Sequence, residues 1–172
     1  VSQWSAPASF GIGFLDDKDW ASNAAFIGVP GNRGKSEVAP LLRKTFTAKE
    51  EAERYLLHVN SLGYHEAYVN GTAVSDAVLS PAVSQFGVRT RIVTYDVTSM
   101  VHSGENDIII WTGKGWYQTH NKAVVPGGPY VRAQLDCITS EGVTAVTATD
   151  GSWKYAESER RTYGPWRPHE MG

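Results

Sequence analysis

Between Tyr55 and Ala148 the chain runs as short β-rich segments cut by turn signals at close intervals, and this rhythm limits the fold more than any other feature. Tyr55-Leu56-Leu57-His58-Val59-Asn60 is rich in strand formers and ends near Gly63. Ala67-Tyr68-Val69 and Thr72-Ala73-Val74 flank Asn70-Gly71. Asn-Gly tolerates the positive φ that a type I′ hairpin turn demands. Val88 to Tyr95 mixes Arg and Thr with Val and Ile, as a half-exposed strand does, and Ile108 to Trp111 follows the turn cluster Gly104-Glu105-Asn106-Asp107. Val131, Ala133, Leu135 and Cys137 alternate with Arg132, Gln134 and Asp136, which predicts a strand with one apolar and one polar face. Glu141-Gly142 then turns the chain into a further strand, Val143 to Ala148.

Helical signals are few. Ala48 to Tyr55 reads as one turn or as a polar loop, and Thr98 to Val101 as a short helical turn. Strands do not alternate with long helices, so a parallel α/β sheet is excluded and an all-β antiparallel sandwich or barrel is expected. At 172 residues one domain is expected. The divisions are an N-terminal arm or linker strand (1–28), a β-sandwich (29–156) and a C-terminal segment (157–172) leading toward a following domain. Val1-Ser2-Gln3-Trp4 lacks the basic start and apolar core of a signal peptide. With no initial Met, the chain reads as an excised piece of a longer protein. Sixteen basic against eighteen acidic residues leave a net charge of −2, with no basic face for nucleic acid. No stretch approaches the ~20 apolar residues of a membrane helix. Cys137 is the one cysteine, which excludes an internal disulfide and a cysteine-rich zinc site, and its place on an apolar strand face reads as core packing.

Catalytic signals are weak. Asp16, Asp17 and Asp19 crowd one loop before Trp20, as a solvated turn or a helix start would place them. Glycoside hydrolysis instead needs two carboxyls facing each other across the bond. There is no Gly-x-Ser-x-Gly elbow and no paired-histidine zinc helix. Binding signals are stronger. Trp116 and Tyr117 with His120 and Asn121 sit on a long Gly- and Pro-rich loop. Flat aromatics cover the C–H face of a sugar while amide and imidazole groups bond its hydroxyls, so these four residues are candidate carbohydrate ligands. The alternative is that Trp116 and Tyr117 plug one end of the sandwich. Asn32, Ser36 and Glu37 lie on another loop, where oxygen ligands suit calcium, and Asn32 and Glu37 are the candidate metal ligands. Asn70-Gly71-Thr72 matches a glycosylation sequon, but the hairpin accounts for it.

Several ordered segments together resemble one family. Leu62-Gly63-Tyr64-His65-Glu66-Ala67-Tyr68-Val69-Asn70-Gly71 is similar to a segment of bacterial α-L-rhamnosidases. So, in order and spacing, are Ala39-Pro40-Leu41-Leu42-Arg43-Lys44-Thr45-Phe46, Thr94-Tyr95-Asp96-Val97-Thr98, Gly113-Lys114-Gly115-Trp116-Tyr117 and Thr149-Asp150-Gly151-Ser152-Trp153-Lys154. Asp19-Trp20 followed by Phe26-Ile27-Gly28 extends the resemblance toward the N-terminus. It is to the N-terminal accessory module of those enzymes, not to their catalytic (α/α) barrel. It implies a jelly-roll sandwich of the galactose-binding-like kind without catalytic residues. Its partners would be L-rhamnose-containing glycans or the catalytic domain of the parent chain, in the periplasm or outside the cell. In some members the module takes L-rhamnose through calcium, held by an Asp-Asn pair just before the Pro-Ala-Pro segment. Here that stretch reads Ser36-Glu37-Val38-Ala39-Pro40, so Glu37 keeps a carboxylate for calcium or sugar and the Asn is missing. A purely structural module that binds no sugar is the alternative.

Overall fold

The computed structural model describes residues 4–6, 13–29, 38–118 and 127–161. Nine strands form among them: β1 (Val38–Thr47), β2 (Arg54–Leu62), β3 (Tyr64–Val69), β4 (Thr72–Ala73), β5 (Ile92–Asp96), β6 (Glu105–Gly113), β7 (Tyr130–Thr139), β8 (Gly142–Ala148) and β9 (Lys154–Arg161). They build two antiparallel sheets, one of five strands in the order β4-β3-β6-β1-β9 and one of four in the order β5-β2-β7-β8. The all-β antiparallel sandwich expected from the strand rhythm is therefore the fold.

Alternation decides which side chains fill the interior. Along β6 every second residue, Asn106, Ile108, Ile110 and Thr112, is buried. Leu57 and Val59 of β2 and Val131, Ala133, Leu135 and Cys137 of β7 meet them from the other sheet, with Leu42, Phe46, Ala67, Val69 and Trp153 completing the core. Cys137 is fully buried, as its place on the apolar face implies. Two turns set the geometry of β3. Gly63 turns the chain from β2 into the other sheet at φ +122°, where a Cβ would lie 2.2 Å from the Gly113 carbonyl oxygen, so only glycine fits. Asn70 (φ 51°) and Gly71 (φ 77°) take the left-handed pair that the type I′ hairpin requires. Asn70 also donates from Nδ2 to the Met100 carbonyl and to Asn106 Oδ1, while its own Oδ1 accepts from the Asp107 amide, tying the hairpin to β6.

Residues 48–53 form a loop and turn, the polar-loop reading of that stretch. Two local expectations are modified. The strand expected over 88–95 begins only at Ile92, because Val88 and Arg89 both turn back to the Gln85 carbonyl. The second concerns β7. Its alternation holds, but the polar face is not solvated: Gln134 and Asp136 are buried, as is His58 beside them on β2. Residues 13–29 cover that face. Trp20 is buried there, with the Arg132 guanidinium 4.5 Å above its ring centre, and Ile27 forms a β-bridge with Val131. Residues 13–28 of the segment assigned to an arm thus pack on the sandwich, and β9 spans the boundary drawn at residue 156.

Replacing Trp20 by Ala removes the anchor of this segment. The expected loss is about 3–5 kcal/mol in chemical denaturation, the range for truncating a buried aromatic. Hydrogen exchange should rise first at the amides of 20–27.

Candidate functional site

The proposed sugar loop is only partly within the described residues. Trp116 and Tyr117 belong to a 3-10 turn, Gly115–Gln118, that follows β6 directly. Tyr117 is buried, 2% exposed, edge-on to Phe86 at 5.5 Å and to Tyr130 at 6.4 Å. Burial, with the neighbouring Tyr130 phenol, pushes its hydroxyl up to about 12. A sugar platform needs a ring face open to its ligand. Asn32, Glu37, His120 and Asn121 lie outside the described residues. Among the described residues no group of three or more His, Cys, Asp or Glu is placed to hold a metal ion.

The structure shows two polar clusters that the motif search passed over. The first lies on the outer face of the four-stranded sheet. His58 Nδ1 meets Thr94 Oγ1 at 2.8 Å, and its Nε2 lies 3.4 Å from Asp136 Oδ2. Gln134 donates to Asp136 Oδ1 and accepts from the Ala21 amide, so one side chain joins the sheet to the covering segment. The Phe14 ring stacks on His58 at 4.1 Å, and Asp17 pairs with Arg132. Beside this cover a groove of about 670 Å³ stays open, lined by Phe14, Leu15, Leu56, Asp136, Ile138 and Val143 among others.

The second cluster crosses between the sheets. Ser61 Oγ donates to the Gly63 carbonyl and lies 2.7 Å from His65 Nδ1. His65 Nε2 lies 2.9 Å from the Tyr95 hydroxyl, which also meets Ser80 Oγ at 3.4 Å. With the Ser61 proton committed to Gly63, Nδ1 carries the ring's hydrogen and Nε2 accepts from Tyr95, which is the pattern of a neutral imidazole. Burial lowers the His65 pKa to about 4. The chain of contacts pins the segment around Ser80, whose carbonyl also accepts from the His65 amide at 2.7 Å. Next to it Leu79 is held at φ 57° and 68% exposed, at the edge of a shallow pocket of about 220 Å³ with Tyr64, Glu66 and Trp111. Val78, Val83 and Val88 on the same connection are also exposed.

Several aspartates are tied into local structure. Asp16 and Asp19 form a capping box around the turn at 17–19, and backbone amides of Leu15 and Asp16 hold the Asp19 carboxyl below its usual range. Thr98 and Arg54 lower Asp96, and Ser152 lowers Asp150. Each of these resolved shifts is downward. A glycosidic general acid needs the opposite, a carboxyl raised by burial or by a like charge.

The described residues define a two-sheet antiparallel sandwich domain. Residues 50–165 match the family model described as the alpha-L-rhamnosidase N-terminal domain, and the chain belongs to that family. An alpha-L-rhamnosidase of Formosa agariphila is 28% identical over 184 residues, covering 99% of this chain and 19% of that protein. One from Streptomyces avermitilis is 32% identical over 162 residues, covering 89% and 15%. The chain thus spans about a fifth or less of the length of these curated relatives. Among solved structures, the alpha-L-rhamnosidase of Aspergillus terreus superposes with a TM-score of 0.72 at 25% identity, over 84% of this chain and 18% of that one. The Streptomyces avermitilis enzyme complexed with L-rhamnose gives a TM-score of 0.61 at 29% identity, over 69% and 12%.

The sign of the His65 effect follows from its lowered pKa. The folded state resists protonation that the unfolded chain accepts near pH 6.5, so stability is full above that pH and is lost as pH falls toward 4. The loss amounts to about 3 kcal/mol at pH 4. His65→Asn should flatten this dependence in denaturation curves collected from pH 7 to 4.

Proposed function

We propose that this chain is the non-catalytic N-terminal module of a glycoside hydrolase acting on L-rhamnosyl glycans, and that it works by packing against the rest of that enzyme. The observation that carries this reading is the connection between β4 and β5. It exposes Val78 (82%), Leu79 (68%), Val83 (56%) and Val88 (72%), and Leu79 edges the pocket lined by Tyr64 and Trp111. Four aliphatic side chains on one surface segment are the mark of a contact surface rather than of random exposure. Leu79 strengthens the point, since a bulky residue at φ 57° carries backbone strain while its side chain gains nothing from burial within this chain. The downward carboxyl shifts and the names of the relatives support a helper role within a rhamnosidase. The buried ring of Tyr117 favours packing over sugar recognition through the Trp116–Asn121 loop.

The test uses the longer enzyme and the 172-residue chain side by side. Val78→Ser, Leu79→Ser and Val88→Ser together should lower the melting temperature of the longer enzyme by several degrees and leave that of the chain unchanged. Isothermal titration of the chain with L-rhamnose, with and without calcium, should give no saturable heat. Saturable heat that disappears with Glu37→Ala would move the reading to calcium-dependent sugar recognition.

A further inference from the structure

Sheet edges expose unpaired N–H and C=O groups, and proteins protect them by shortness, charge, bulges or cover. Three of the four edges here are protected in such ways. β4 has two residues, β5 has five and ends in the Arg54–Asp96 ion pair, and β9 has the charged sequence Lys-Tyr-Ala-Glu-Ser-Glu-Arg-Arg. β8 differs: its sequence, Gly-Val-Thr-Ala-Val-Thr-Ala, holds no charge and no proline. No strand lies beyond it among the described residues. An extra residue at Val146 breaks its ladder with β7, but only where the strand begins to be covered. Gly142 to Ala145 stay regular and exposed. On the outer face Val143 (65% exposed) and Leu15 (83%) border the groove of about 670 Å³.

We propose that β8 is a strand-addition surface whose occupant is β8 of a second copy of this chain, paired antiparallel about a twofold axis at Thr144. The alternation of faces restricts the axis to a residue position. Val143 and Ala145 both lie on the outer side, opposite Ile138 and Asp136 of β7, so a twofold at Thr144 keeps outer residues together, setting Val143 against Ala145 and Thr144 against itself. A Thr–Thr pair and two aliphatic pairs then meet with no like charges opposed, which the charged edge of β9 would not allow. The acidic groups near the start of β8, Glu50, Glu51 and Glu141, are carried to opposite ends of the joint. The two Glu141 residues stand six positions apart along the ladder, roughly 20 Å at strand spacing. That exceeds the ~8 Å screening length at physiological salt. Pairing joins the two four-stranded sheets into one and brings Leu15 and Val143 of each copy to the flank of the joint. An isologous contact of this kind closes as a dimer and does not propagate.

Sedimentation equilibrium of the 172-residue chain tests the idea. Doubling of the molar mass with rising concentration is expected, and Thr144→Lys, which sets two ammonium groups face to face on the axis, should abolish it. Tyr155→Lys on the β9 edge should leave the dimer intact. In a Cys137→Ala background, which removes the cross-strand neighbour of residue 144 on β7, Thr144→Cys should yield a covalent dimer under mild oxidation that a reductant reverses. A chain that stays monomeric at every concentration overturns the proposal. So does a dimer that Thr144→Lys leaves unchanged, or one that Tyr155→Lys dissociates.

Discussion

The central pair of the four-stranded sheet, β2 against β7, is buried on both faces, and the rest of the molecule is arranged around that fact. Its inner face is ordinary apolar core. Its outer face carries His58, Gln134 and Asp136, all buried, and Arg132, which is half-buried. Buried polar groups without partners are costly, about 1–3 kcal/mol each. The covering segment supplies those partners: the Ala21 amide for Gln134, Asp17 and the Trp20 ring for Arg132, and the Phe14 ring over His58. The segment is therefore a structural layer, and Trp20 belongs to the buried residues as much as Leu57 does. Among the described residues two buried side-chain atoms remain without hydrogen-bond partners, Asn60 Oδ1 and Arg132 Nε, on residues that face each other across β2 and β7.

The unburied surface is divided in a way that suits a module of a larger machine. One side exposes aliphatic residues on the β4–β5 connection, held out by the hydrogen-bonded line from Ser61 through His65 and Tyr95 to Ser80. Another carries an uncharged strand edge. Neither feature helps the chain fold by itself, and neither resembles a reaction centre. Asp19 caps a turn, Asp96 pairs with Arg54 and Asp150 holds Ser152, and these bonds keep all three carboxyls below their usual range.

Much of the fold was legible from local rules. The hairpin at Asn70-Gly71 and the core face of β7 follow from φ preference and alternation alone. The site was less legible. The aromatic loop suggested a sugar platform as readily as a plug, and only the packing of Phe86 and Tyr130 around Tyr117 distinguishes the two. Alternation also assigned Gln134 and Asp136 to solvent, because periodicity reports the two faces of a strand and says nothing of what a distant segment lays over them.

By itself, then, the sequence determined the antiparallel all-β architecture, the main turns and the inner core, since these rest on backbone preference and on hydrophobic contrast between neighbours along the chain. Tertiary structure alone decided that residues 13–29 form a third layer, that the Tyr117 ring faces inward, and that β8 is the edge of its sheet among the described residues. Each of these depends on contacts between residues far apart in the chain, such as Ala21 with Gln134 or Phe86 with Tyr117, which no local pattern encodes.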